Sequence, residues 1–301
     1  MERDKLSRMT MMLPPESAQL TEATSIALAQ SLKRTDISTS LCASPIATAY
    51  IRKGSGGIPL VLLHGFDSSV FEFRRLLPLL AETQETWSVD LLGFGFTDRP
   101  AGSFFSPAAI KTHLYHVWQT LIARPMILVG ASMGGAAAID FALTYPDAVQ
   151  KLVLIDSAGF ARGPAMARFL FPPLGELAAN FLRSPSVRRK VSLQAYYDSS
   201  FVSPDALVCG ALHLTCPNWQ QAIISFTKSG GYNFLADKIA AIEQPTLILW
   251  GDSDKILGTQ DATKFQQAIA HSKLVWVKHC GHVPHLEQPQ VTAAAILDFS
   301  T

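Results

Sequence analysis

Continuous apolar runs recur along the chain, separated by amphipathic stretches. IATAYIR (46–52) leads through the Gly-rich GSGG into PLVLLHG (59–65). WSVDLLG follows from Trp87, PMILVG from Pro125, KLVLIDS from Lys151, PTLILWGD from Pro245 and KLVWV from Lys273. Runs of Val, Leu and Ile without polar alternation predict strands buried on both faces, as in a parallel sheet. Between them, FEFRRLLPLLAE from Phe71, PAAIKTHLYHVWQTLIA from Pro107 and MGGAAAIDFALTYP from Met133 carry helical patterning. This alternation predicts an α/β fold with a doubly wound, mostly parallel sheet.

Two stretches break the rhythm. Residues 160–240 hold no strong strand run, and RGPAMARFLFPPLGELAANFLRSPSVRRK from Arg162 reads as short helices interrupted by prolines. An insertion of helices over one end of the sheet accounts for it. Near the N-terminus, TEATSIALAQSLKR (21–34) places Ala23, Ile26, Ala27, Ala29 and Leu32 at roughly helical spacing, with Lys33 and Arg34 where cations suit a helix C-terminus. The expected organisation is an N-terminal helical extension (1–40), a core built from 41–159 and 241–301, and an inserted helical cap (160–240).

Composition narrows the class. A chain of 301 residues, 48% hydrophobic and 16% charged, can bury a large core without disulfides or structural metals and is too apolar for disorder. A net charge of +1 gives no electrostatic reason to expect nucleic acid. Cys42, Cys209, Cys216 and Cys280 form no C-x-x-C pair, so free thiols are expected. No uncharged apolar run reaches the ~18 residues of a membrane helix. MERDKLSRMTMMLPP lacks the apolar core of a secretory signal, and a cytoplasmic protein is expected.

Candidate chemistry gathers where strands end. In ILVGASMGG (127–135), a strand runs into Gly130-Ala131-Ser132-Met133-Gly134 and then a helix, the strand–turn–helix setting of a nucleophile elbow. The turn needs small flanking residues and lifts the hydroxyl to the positive end of a helix. A serine hydroxyl requires a base, and the base a group that fixes its tautomer. Asp254, in LILWGDSDKIL, and His282, in KHCGHVPHLEQP, each follow a strand run and should lie on the same rim as Ser132.

With LLHG (62–65), DLLGFGFTDRP (90–100), WGDSD and GHVPHLEQP added to the elbow, the chain resembles the α/β-hydrolases, in the epoxide-hydrolase-like branch with a helical cap, from about Ala47 to Asp298. The resemblance implies Ser132 as nucleophile, His282 as general base and then acid, and Asp254 as the residue that orients it. It implies the backbone N–H groups of Phe66 and Met133 as an oxyanion hole, with His64 and Gly65 shaping that loop, and it implies no cofactor. Asp252 is the nearest rival acid and suits a turn or cap hydrogen bond. Asp156 is a second rival, since some members place the acid there. Asp90 and Asp98 read as loop-fixing residues. A zinc site remains an alternative for His279, Cys280, His282 and His285, or for the His113/His116 pair.

A serine at the elbow, where the resembling epoxide hydrolases and haloalkane dehalogenases use Asp, favours acyl transfer. Arg162, Arg168, Arg183, Arg188 and Arg189 in the cap suit either a solvated face or an acidic substrate. Met166, Phe169, Leu170, Phe171, Leu174, Leu177, Phe181 and Leu182 suit cap packing, with any surplus lining an apolar pocket. The expected function is hydrolysis of a carboxylic ester, with a small, apolar molecule as the expected substrate. Carbon–carbon bond hydrolysis is the first alternative, and a ligand-binding protein of the same fold with little turnover is the second.

Overall fold

The computed structural model describes residues 13–160 and 173–301. Among these residues eight strands form one sheet: β1 (Lys33–Ile37), β2 (Ile46–Lys53), β3 (Leu60–Leu63), β4 (Thr86–Val89), β5 (Met126–Ala131), β6 (Val149–Ile155), β7 (Thr246–Gly251) and β8 (Ser272–Val277). Their order is β1-β2-β4-β3-β5-β6-β7-β8. The β1–β2 and β2–β4 pairs are antiparallel, and every pair from β4 to β8 is parallel.

The helices are α1 (Ala23–Ser31), α2 (Leu76–Leu80), α3 (Pro107–Leu121), α4 (Met133–Thr144), α5 (Leu174–Arg183), α6 (Pro185–Ala195), α7 (Pro204–Ala211), α8 (Trp219–Lys228), α9 (Gln260–Ala268), α10 (Pro284–Glu287) and α11 (Pro289–Ser300). The continuous apolar strands feed two cores. Leu128, Leu152, Leu154 and Ile248 pack with Ile110 and Leu114 of α3, Phe141 of α4 and Phe265 of α9. Ile127, Val129, Val153 and Leu247 turn to the other face, with Leu76 and Leu80 of α2 and Ile296 of α11. Alternate residues of one apolar run therefore serve opposite cores, which is why the strands carry no polar alternation.

The helix expected over Thr21–Arg34 ends at Ser31, and Lys33–Ile37 is an antiparallel edge strand. Thr35 and Ile37 are buried with exposed Asp36 between them, an alternation too short to read and carried by only one large apolar residue. Arg34 pairs with Asp98 across this edge instead of capping the helix. The α1 helix is itself capped from far along the chain: Asp205 of α7 accepts from the Thr21 N–H (2.5 Å), the Glu22 N–H (2.9 Å) and Ser25 Oγ (2.6 Å). Helices α5 to α8 lie between β6 and β7 in the chain. Arg162, Met166, Arg168, Phe169, Leu170 and Phe171 fall outside the described residues. Among the described residues no helix is long and apolar enough to cross a membrane.

Candidate active site

Ser132 stands between β5 and α4 with φ 52° and ψ −119°. A side chain in this region costs roughly 1–3 kcal/mol and needs surrounding structure to hold it. The Ser132 N–H donates to Ile155 O (3.0 Å), and its carbonyl accepts from Gly135 N (3.0 Å) and Ala158 N (3.0 Å). A Cβ on Gly130 would collide with the Gly134 backbone, and one on Gly134 with the carbonyls of Leu63 and His64. The two glycines thus let α4 begin hard against the ends of β3 and β5. Met133 is the first residue of α4, where a helical N–H has no acceptor within its own helix.

The loop after β3 approaches from the other side. A Cβ on Gly65 would lie 3.3 Å from Ser132 Cβ, so only glycine admits this contact without displacement. His64 braces the loop: Nδ1 donates to Gly65 O (2.8 Å) and Nε2 accepts from the Leu91 N–H (3.1 Å). Burial lowers the His64 pKa to about 4 and keeps the ring neutral for that role. The Gly65 N–H donates to Glu72 (2.9 Å), whose other oxygen is 3.2 Å from His285 Nε2. Burial alone would raise the Glu72 pKa, but contact with His285 leads the influences that bring it to about 2.

Phe66 follows, 41% exposed, with its ring 5.7 Å from Phe94 and 6.0 Å from Phe226. Asp67 then fastens the loop to the inserted helices. It accepts from Trp219 Nε1 (2.7 Å), His213 Nε2 (3.0 Å) and Arg188 Nη1 (2.7 Å). Burial opposes its charge, yet these donors, His213 foremost, bring its pKa to about 2.

Asp254 and His282 meet beyond β7 and β8. His282 Nδ1 is 2.9 Å from Asp254 Oδ2, and Asp254 Oδ1 accepts from the N–H groups of Ile256 (2.7 Å) and Leu257 (3.1 Å). Burial would raise the Asp254 pKa, but the His282 contact and these N–H groups outweigh it and hold the carboxyl low. The His282 N–H donates to Ala195 O at the end of α6 (2.7 Å). Glu287 ties the same loop to the same helix end, accepting from the N–H groups of Gly281 (2.8 Å), Tyr197 (3.1 Å) and Asp198 (2.7 Å).

The other acids separate by environment. Asp252 keeps its side chain partly exposed and binds Ser253 Oγ (3.0 Å) and the Cys280 N–H (3.4 Å), turn contacts beside the His282 loop. Asp90 accepts from the N–H groups of Val70 and Phe96 (both 2.6 Å), and burial raises its pKa to about 7. Asp156, directly after β6, is fully buried and accepts from the Gly251 N–H (3.0 Å). Its ligand atoms and those of Asp254 and His282 lie within 4.8 Å of one another, and among the described residues these three are the cluster that could hold a metal ion. The histidines of the zinc alternative diverge: His285 faces Glu72, His279 lies 5.7 Å from the Tyr197 ring, and buried His113 contacts Thr48 Oγ1 (2.8 Å).

Nor do the inserted helices offer the side chains as the chain pattern suggests. Arg188 is spent on Asp67 and Gly210 O, and Arg183 donates to Leu214 O (2.9 Å) over the Trp219 ring. Leu174, Leu177 and Phe181 are about 60% exposed, at 59%, 61% and 64%. Leu182 instead borders a cavity of about 160 Å³ with Phe66, Val187, Val191 and Leu207, the Asp67–Arg188 pair forming one wall. Glu72, Asp67 and Glu287 escape sequence reasoning because each is a lone acid whose partners are backbone N–H groups or residues far along the chain. The offset of seven residues between Gly65 and Glu72 is the faint signal available.

An eight-stranded, mostly parallel sheet with a strained serine at one strand end has the architecture of an alpha/beta hydrolase. Residues 60–295 match the alpha/beta hydrolase family, and the chain belongs to it. It is 38% identical over 245 residues to alpha/beta hydrolase domain-containing protein VTE7 of Arabidopsis thaliana, covering 81% of this chain and 74% of that protein. It is 30% identical over 255 residues to a 2-hydroxy-6-oxo-2,4-heptadienoate hydrolase of Pseudomonas putida, covering 81% and 89%. A solved esterase of Thermogutta terrifontis superposes with a TM-score of 0.74 at 23% identity, over 88% of this chain and 97% of that one, which shows the shared fold.

Proposed function

We propose that this chain is a serine hydrolase cleaving a carboxylic ester with an apolar substituent, through an acyl-Ser132 intermediate. The observation that carries the reading is the buried Asp254–His282 hydrogen bond on the same sheet rim as the strained Ser132. With Nδ1 engaged by Asp254, the Nε2 of His282 takes the Ser132 proton as the oxygen attacks the ester carbonyl. Negative charge develops on the carbonyl oxygen, and the N–H groups of Phe66 and Met133 receive it; one such donor contributes about 3 kcal/mol. His282 returns the proton to the departing alcohol. Water, deprotonated by His282, then releases the acid and restores Ser132. The chemistry requires no cofactor. Helices α5 to α8 act as a cap, with 41–159 and 241–301 as the core; of the N-terminal segment, β1 joins the core sheet and α1 docks through Asp205.

Carbon–carbon bond hydrolysis is the second reading, supported by the Pseudomonas putida relative. Against it, Arg188 and Arg183, two of the cap arginines among the described residues, are engaged internally rather than held open for an acidic substrate. The cavity beside Phe66 favours an apolar group instead. Its volume of about 160 Å³ is on the scale of a medium-length acyl group. The test is kcat/KM on p-nitrophenyl esters. It should rise from acetate to hexanoate, by up to roughly tenfold per two methylenes, and fall beyond. A steady decline from acetate, with turnover of vinylogous diketones, would favour the second reading.

A further inference from the structure

Asp156 and Asp254 are buried carboxyl groups whose oxygens approach each other and the His282 ring within 4.8 Å. Two carboxylates at such range do not both ionise. Their surroundings decide which one keeps a proton. Asp254 faces three groups able to donate: the Ile256 N–H, the Leu257 N–H and His282 Nδ1. Asp156 receives only the Gly251 N–H, on Oδ1, and its Oδ2 is buried with no donor. The acidic groups around it, Asp254, Glu287 and Cys280, add no cation, and His282 is turned to Asp254. A proton on Oδ2 converts an unsatisfied acceptor into a donor beside the neighbouring Asp254 carboxylate.

We propose that Asp156 is a positioning residue that works as a neutral carboxylic acid, donating a hydrogen bond to the Asp254 carboxylate and so fixing the acid that orients His282. The proposal rests on the reading of Ser132, His282 and Asp254 as a triad. Burial first, and the nearby Asp254 second, push the Asp156 pKa well above the ordinary carboxyl range, in keeping with this state. The backbone at Asp156, with φ 39°, directs the side chain under β7, where it also holds the Gly251 N–H. No covalent step is added: the proton stays on Asp156 while His282 shuttles its own.

The amide of Asn reproduces both contacts, its oxygen accepting from Gly251 and its NH2 donating to Asp254, whereas Ala loses them. Asp156→Asn should keep kcat within about threefold of wild type, while Asp156→Ala should lose about tenfold or more with KM little changed. Without the donor, Asp254 attracts the imidazolium more strongly, so the acidic limb of the kcat/KM profile should move to higher pH in the Ala variant only. Difference infrared spectra should show the carbonyl stretch of a buried carboxylic acid in wild type and lose it in Asp156→Asn, a readout independent of catalysis. Equal damage in both variants, or no such band, would overturn the proposal. Failure of the triad reading looks different: Asp254→Asn would stay active while Asp156→Asn would not.

Discussion

Asp252 and Asp254 stand two residues apart and meet different physics. Asp254 is buried against the His282 ring, while Asp252 holds turn groups at the edge of solvent. Asp254→Asn should lower kcat by about 10⁴-fold, because an amide there favours the wrong tautomer of His282. Asp252→Asn should stay within a few fold of wild type, and steady-state kinetics on one activated ester compare the two. The reverse ranking would move the orienting role to Asp252. These positions are legible in the chain because Gly-flanked ends of apolar strands announce where a side chain must project. The environment that separates Asp252, Asp254 and Asp156 is not, since depth and neighbouring N–H groups arise only when β6, β7 and β8 lie side by side.

Between elements, the loop after β3 is the junction. Asp67 binds it to α6, α8 and the turn that carries His213, one residue past the proposed oxyanion donor Phe66. Asp67→Ala would strand three donors, one of them a charged guanidinium. Breaking a buried pair in this way costs about 3–5 kcal/mol. A fall of this size in the urea unfolding free energy, with kcat reduced in the protein that remains folded, is the expected outcome; unchanged stability would show the junction to be loose. The α1 cap tests a second junction: Asp205→Ala should cost about 1–2 kcal/mol through its lost N-terminal acceptor. Apolar periodicity made the six strands from β3 to β8, together with β2, readable. It could not reveal β1, whose five residues include a single aliphatic side chain and take their strand form from pairing with β2. The pairing of Asp205 with α1 spans most of the chain and leaves no local trace.

For the molecule as a whole, acid acts through buried groups with opposing signs. Burial depresses His64 to about 4 and His113 to about 3, from 6.5, so the unfolded chain binds protons there before the folded one does. Their contribution is complete above pH 6.5 and is lost as the pH falls toward those values. Asp90, raised to about 7, works in the other direction, since the folded state holds its proton from pH 7 down to the ordinary carboxyl range. Wild-type stability should therefore vary gently in this window, and His113→Gln isolates one term. The stability gap between wild type and that variant should narrow by ~2 kcal/mol from pH 7 to pH 5, measured by urea unfolding; a constant gap would mean that His113 takes up its proton within the fold. The proposed chemistry rests on one half-buried, strained serine. The most direct test is the intact mass and peptide map of the protein after treatment with a fluorophosphonate ester reagent. The account predicts a single adduct on Ser132, absent in Ser132→Ala together with at least about 10³-fold of the esterase activity. An adduct and activity that persist in Ser132→Ala would contradict it.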